Sequence, residues 1–217
     1  AQLSENKVLS DTVQLPGTTD SNQKGNKNER AHIDRLSRIW SWIGPAWYQR
    51  EVEIPADWSG KRVTLFLERT KHCSIWVNGK FCGWDNTLST PHIHDLTKWI
   101  RPGETNTITL LVDNAKLPPG GPSHQVDERT QTNWNGVVGV MELRATDPVW
   151  IEEAQVYPNA AEKQAKVRLV IGNTTGTSAK GEVRTSARSY NVDAPAAFEP
   201  MTVDLVADEH HSTVEFT

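Results

Sequence analysis

The sequence predicts an all-β protein built of antiparallel sandwiches, and three observations carry that reading. Runs of roughly four to eight residues rich in β-branched and aromatic side chains recur at short intervals, separated by Gly, Pro, Asn and Asp. No segment has the length and 3.6-residue period of an amphipathic helix, so nothing serves as a crossover between parallel strands. The third observation is Asn78-Gly79, set inside HCSIWVNGKFCGW (72 to 84), because a type I′ hairpin turn needs positive φ at both central residues.

That hairpin organises the chain. A two-residue turn places Val77 opposite Lys80, Trp76 opposite Phe81 and Ile75 opposite Cys82, and the two rings are expected to pack in the core or between sheets. The same register makes Cys73 and Cys82 diagonal neighbours, an arrangement that permits a disulfide without favouring it.

Taken in order, residues 1 to 35 are a polar lead-in rich in Gly, Asn and Lys, with a short strand expected near Val13 to Leu15. From Leu36 the texture changes to RLSRIWSWIGPAWYQREVEIP, in which Tyr48, Arg50, Val52 and Ile54 alternate with Gln49, Glu51 and Glu53 as a half-buried strand does. Gly44-Pro45 opens that strand, and Pro55, Asp57 and Gly60 close it. Val63, Leu65 and Leu67 mark the next strand. After the hairpin, Asp95 is placed to cap a single helical turn carrying Trp99 and Ile100, and Ile108, Leu110 and Val112 form a further strand. Residues 116 to 136 run about twenty residues with three prolines and three glycines, a length that inside a compact domain marks a functional or disordered loop.

After Asp147-Pro148 come five short alternating segments, VWIEEAQVYP, QAKVRLVIGN, KGEVRTSARS, EPMTVDLVAD and HSTVEFT. They predict a second, smaller sandwich over 148–217, after a first domain over 1–147. About 70 residues is thin for an immunoglobulin-type sandwich of about 100, so the second domain is expected to be incomplete and the chain a fragment of a longer one.

Composition excludes some functions. A formal charge of -4 with interspersed acids and bases supplies no field for nucleic acid. No stretch approaches the roughly 20 apolar residues of a membrane span, and AQLSENKVLS lacks the features of a signal peptide, so a soluble chain is expected, whatever leader preceded it. Two cysteines without CxxC, and His92 and His94 without a third partner at ligand spacing, argue against a metal site; no cofactor is expected. Asn173-Thr174-Thr175 fits a glycosylation acceptor but lies at a predicted turn, where such residues gather anyway.

Four segments in order, AWYQREVEIPADWSGKRVTLFLE, IWVNGKFCG, TPHIHDLTKWIRPGETNTITLLVDN and NWNGVVGVMEL, resemble the N-terminal sugar-binding domain of family 2 glycoside hydrolases, the β-galactosidase, β-glucuronidase and β-mannosidase group. The resemblance covers about residues 36 to 147. It implies a jelly-roll sandwich followed by the start of an immunoglobulin-like domain and, in the parent protein, a TIM barrel with two catalytic glutamates. Retaining hydrolysis needs two carboxyls about 5 to 5.5 Å apart. Asp127 and Glu128 are a tempting pair, but neighbours on an extended chain point apart, so no catalytic residue is assigned and the chain alone is expected to be inactive.

The resemblance also implies that Asn133 and Trp134, in the segment Gln131-Thr132-Asn133-Trp134-Asn135, edge the barrel's pocket, with a weaker implication for Asp85 and Asn86 after the hairpin. An aromatic face against ring CH groups and amides against hydroxyls are what a sugar requires. The competing reading makes Trp134 a cap on the core and Asn135-Gly136 a turn. Two alternatives accompany the non-catalytic portion of a hydrolase: an autonomous carbohydrate-binding module, and a structural pair of sandwiches. The expected partners are carbohydrate and the barrel of the same polypeptide. A periplasmic or secreted location is implied by exported relatives, with a cytoplasmic one as the alternative.

Overall fold

The computed structural model describes residues 9–29, 38–116, 133–188, 190, 196–197, 200–205 and 212–217. The chain divides into two compact units, Ala1–Ala145 and Thr146–Thr217. Among the described residues the first unit contains β1 (Gly17–Thr18), β2 (Asn26–Lys27), β3 (Trp40–Ser41), β4 (Pro45–Glu53), β5 (Arg62–Arg69), β6 (His72–Val77), β7 (Lys80–Asp85), β8 (His92–Asp95), β9 (Thr105–Asp113) and β10 (Gly136–Thr146). The second contains β11 (Val149–Asn159), β12 (Gln164–Asn173), β13 (Ala179–Val183), β14 (Ser186–Ala187), β15 (Ala196–Ala197), β16 (Met201–Leu205) and β17 (Ser212–Phe216). The expected Val13 to Leu15 strand is not formed; the short strand lies two residues on, at Gly17–Thr18, where it pairs with Val137 and Gly136.

The first unit is a sandwich. One four-stranded sheet runs β1-β10-β5-β8 and the other β4-β9-β6-β7. Because side chains alternate along a strand, Val63, Leu65 and Leu67 of β5 meet Cys73, Ile75 and Val77 of β6 and Ile108, Leu110 and Val112 of β9 in one buried cluster. Pro45 is tolerated because it starts β4, an edge strand. After β8, the Asp95 carboxylate accepts a hydrogen bond from the Thr97 amide and Ile100 N–H donates to the Leu96 carbonyl, closing the single turn that buries Leu96 and Ile100.

In the β6–β7 hairpin Asn78 and Gly79 both take positive φ, 50° and 77°. Val77 faces Lys80 and Trp76 faces Phe81, but the next pair is Ile75 with Gly83, not Cys82. A β-bulge at Cys82 inserts one residue into β7, so every later residue changes face. Nor do the aromatic rings enter the core. Trp76 and Phe81 pair at 5.4 Å between centroids on the outer face of the sheet, and Phe81 remains 53% exposed. The physical reason is parity: Cys73, Ile75 and Val77 occupy the inward positions of β6, which turns Trp76 outward.

The second unit pairs β11-β12-β17 in one sheet and β13-β16 in another. Leu169 and Ile171 of β12 bury against Val203 and Leu205 of β16, with Val214 and Phe216 of β17 packed alongside, so the two sheets share a small core. Asn173 is buried; its side chain accepts from the Thr175 amide and donates to the Thr177 carbonyl, which makes it the anchor of a turn.

Cys73 and Cys82 are free thiols. Burial, with the neighbouring Asp85 charge, pushes the Cys73 thiol up to about 12, whereas Cys82 is half-buried and donates to the Lys80 carbonyl at 3.2 Å. Iodoacetamide labelling of the native protein at pH 8 is therefore expected to modify Cys82 first and to reach Cys73 only on unfolding. Equal rates at the two positions would contradict this burial pattern.

Candidate functional site

The strand registers bring the chain's notable polar residues to one end of the first sandwich. Pro45 faces Asp113, Asp113 faces His72, and Cys73 faces Asp85. Gly44, Asn114, Lys71 and Asn86 are the residues immediately beyond those strand ends, and Asn133 to Asn135 lead into β10 beside them.

Two asparagines and a tyrosine hold that end together. Asn135 is fully buried, and its side-chain amide donates to the carbonyls of Gly44 and Val112, each at 2.9 Å. Its Oδ1 accepts from the Tyr48 hydroxyl at 2.8 Å. Asn114 accepts from the Gly44 amide at 3.0 Å and donates to the Trp42 carbonyl at 2.9 Å. Residues more than sixty positions apart are thereby joined, which aligns the start of β4, the end of β9 and the start of β10. Gly136 completes the join: at φ +133° it passes so close to β1 that a Cβ would lie 2.3 Å from the Gly17 carbonyl oxygen. Burial pushes the Tyr48 hydroxyl up to about 12, with the Cys73 charge adding to it, so the hydroxyl keeps its donor proton.

Asn133 and Trp134 sit differently. Asn133 is 8% exposed; its backbone carbonyl accepts a long 3.5 Å bond from Asn114, while its buried side-chain Oδ1 has no hydrogen-bond partner among the described residues. An unpartnered buried carbonyl is costly and rare. Trp134 is half-buried, with the Lys71 ammonium 4.6 Å from its ring centroid. Lys71 is 6% exposed; burial, aided by the neighbouring Arg38 cation, lowers its amine to about 8. The Trp134 ring favours the charged form, and burial outweighs it.

Asp85 and Asn86 follow the hairpin at the same end. Asp85 accepts from the Thr87 amide at 2.8 Å and lies 3.7 Å from His92 Nε2. Desolvation raises its carboxyl, but the hydrogen bonds from Thr87 and the His92 charge prevail and hold it below the ordinary carboxylate value. His92 is fully buried, with Nε2 at 2.8 Å from the Thr87 carbonyl, so Asp85 and His92 brace the 85–92 turn. His92 and His94 both face inward from β8, their ring centroids 6.0 Å apart. Among the described residues no cluster of three or more His, Cys, Asp or Glu is arranged to hold a metal. Gln131, Thr132, Asp127 and Glu128 lie outside the described residues.

Sequence reasoning missed Trp42, Asn114, Tyr48 and Lys71. Tyr48 reads as an ordinary inward strand residue and Asn114 as a turn residue, and only the contact with Asn135, across 87 and 21 positions, gives them a role.

Residues 10–148 match the family model described as "Glycosyl hydrolases family 2, sugar binding domain". The chain belongs to this family. Among curated relatives, a β-glucuronidase of Paenibacillus borealis is 29% identical over 117 residues, 52% of this chain and 18% of the relative. A β-galactosidase of Thermoanaerobacter pseudethanolicus is 31% identical over 87 residues, 38% of this chain and 11% of that protein. Of solved structures, a family 2 β-glucuronidase superposes with TM-score 0.73 at 21% identity, covering 99% of this chain and 24% of its own. A putative β-galactosidase of Bacteroides fragilis superposes with TM-score 0.70 at 18% identity, covering 94% and 30%. The chain thus spans less than a third of each of these proteins, and the structural likeness shows the all-β sandwich fold. The family 2 resemblance carried by the four ordered segments holds.

Two measurements check the site's physics. Asn135→Ala, which strands the Gly44 and Val112 carbonyls and the Tyr48 hydroxyl, is expected to lower stability by about 3 kcal/mol or more in urea unfolding. For Lys71, the unfolded chain binds more protons than the folded one between pH 8 and 10.5, so the burial penalty is complete below about pH 8 and relieved as pH rises. Reductively ¹³C-methylated protein is expected to show one lysine resonance with its midpoint near pH 8, which Lys71→Arg removes.

Proposed function

We propose that this chain is the non-catalytic N-terminal portion of a family 2 glycoside hydrolase that cleaves O-glycosidic bonds in carbohydrate metabolism. The β4 start, β9 end and β10 start form an end wall that edges the pocket of a catalytic barrel on the same polypeptide, and Asn133 and Trp134 are its substrate-facing residues. The observation that carries this reading is the buried, unpartnered Oδ1 of Asn133 beside a half-buried indole. A sugar hydroxyl donates to the first, and a ring CH face packs on the second. The names of the relatives, β-glucuronidases and β-galactosidases, support a β-glycoside as the substrate class. Asp85 is committed to the Thr87 amide, so the weaker assignment to Asp85 and Asn86 becomes support for the wall. A periplasmic or secreted location accompanies the proposal.

The test is kinetic, on the longer protein with nitrophenyl β-glycosides. Asn133→Ala and Trp134→Ala are each expected to lower kcat/KM about tenfold while leaving the unfolding midpoint within about 2 °C. Unchanged kcat/KM in both variants, or a longer protein without a barrel bearing two glutamates, would sink the proposal. Calorimetric titration of the 217-residue chain with mono- and oligosaccharides is expected to show no saturable binding at Trp134. Binding abolished by Trp134→Ala would mean an autonomous binding module.

A further inference from the structure

The chain contains two Asn-Gly dipeptides, Asn78-Gly79 and Asn135-Gly136, and every other asparagine is followed by a residue with a side chain. Glycine has no Cβ to hold its nitrogen away from the carboxamide before it, so Asn-Gly is the pair in which that nitrogen reaches Asn Cγ most easily in an open chain. Hydroxide takes the Gly N–H proton, the N–Cγ bond forms, the Cγ–Nδ2 bond breaks, and ammonia leaves with a proton from water. A further water then opens the cyclic imide to aspartate or to isoaspartate.

Both dipeptides sit where the fold immobilises the carboxamide. Asn78 N–H donates to the Thr107 carbonyl at 2.8 Å while its Oδ1 accepts from the Thr107 N–H at 2.9 Å, so the side chain stands in for a strand carbonyl at the end of the ladder. Its Nδ2 donates to Asn106 Oδ1 at 2.9 Å and, more distantly, to the Trp99 carbonyl at 3.4 Å. Asn135 is held by the Gly44 and Val112 carbonyls and the Tyr48 hydroxyl, and its backbone carbonyl accepts from the Thr19 N–H at 2.9 Å. Neither carboxamide can turn its Cγ onto the next nitrogen without breaking these bonds. The two differ in depth: Asn78 is half-buried beside an exposed Gly79 at a hairpin tip, whereas Asn135 and Gly136 are both buried.

We propose that Asn78 and Asn135 are deamidation sites gated by different openings of the first sandwich: Asn78 by fraying of the β6–β7 hairpin, Asn135 only by separation of the strands it joins. Conversion at Asn135 is a one-way step. A carboxylate there has no proton to give, so the Gly44 and Val112 carbonyls lose their donor and face a negative oxygen in a buried place. Isoaspartate adds a backbone carbon as well, which shifts Gly136 out of its close approach to Gly17. Each full opening thus exposes the chain to a change that stops it from closing again. This goes beyond the pocket-edging role and does not depend on it.

Peptide mapping by mass spectrometry, with aspartate and isoaspartate products separated by chromatography, follows both sites in the 217-residue protein held in mildly alkaline buffer with and without urea. In urea the two asparagines are expected to convert at similar rates, ahead of every other asparagine. Without urea Asn78 is expected to slow about tenfold and Asn135 about a thousandfold or more. Tyr48→Phe, which strands Asn135 Oδ1, is expected to raise the Asn135 rate without urea about fivefold and to leave Asn78 unchanged. Gly79→Ala is expected to slow Asn78 about tenfold in urea, where folding plays no part. Protein converted at Asn135 is expected not to refold when the urea is diluted. Asn135 converting ahead of Asn78 without urea, either site converting as fast folded as unfolded, or an Asn135 rate that Tyr48→Phe does not raise overturns the inference. So does an Asn78 rate in urea that Gly79→Ala leaves unchanged, or full refolding of protein converted at Asn135. None of these rates depends on the Asn133 and Trp134 kinetic result, so the two proposals fail separately.

Discussion

The Asn135 carboxamide is the constraint on which the first sandwich depends. A single buried side chain satisfies two backbone carbonyls and a tyrosine hydroxyl, drawn from β4 with the residue before it and from β9, which lie far apart in sequence. Carbonyls at the ends of strands have no ladder partner, and burying them unpaired would cost more than most core contacts return. By closing those groups at once, Asn135 allows the end of the sandwich to be dry and fixed. Asn114 repeats the device one layer out, through Gly44 and Trp42. The only described asparagine of this group whose Oδ1 finds no partner is Asn133, and that contrast separates the wall from the surface the wall presents.

The two faces of the β4-β9-β6-β7 sheet divide the chemistry. Its inner face presents Cys73, Ile75 and Val77 of β6 and Ile108, Leu110 and Val112 of β9 and locks onto β5 through Leu65 and Leu67. Its outer face collects tryptophans, a phenylalanine and a histidine. Alternation alone sorts the first of these sets and turns Trp47, Trp76, Phe81 and His72 outward, but Trp84 needs the bulge at Cys82, which shifts the parity of β7 midway along the strand. A hairpin turn and a bulge within six residues therefore decide which aromatic rings are structural and which are offered to solvent.

Much of the fold was legible. The alternation in β4, β5 and β9, the Asn78-Gly79 turn and the Asp95 turn all appear where local pattern places them, because each rests on interactions within a few residues. The family resemblance was equally legible, since it needs only the order of four segments. The site was legible in part: Asn133 and Trp134 were named, but their companions were not. Tyr48, Asn114 and Lys71 acquire meaning only through partners 20 to 90 residues away.

By itself, the sequence determined the strands, the hairpin and the all-β sandwich class, through side-chain alternation and the backbone freedom of Asn and Gly. Tertiary structure alone decided the register of β7 beyond Phe81, the outward placement of Trp76 and Phe81, and the burial that brings Lys71 to about 8. The reason is physical. Periodicity is a property of one strand, whereas parity after a bulge, desolvation of an amine and satisfaction of a buried carbonyl are properties of what packs against it.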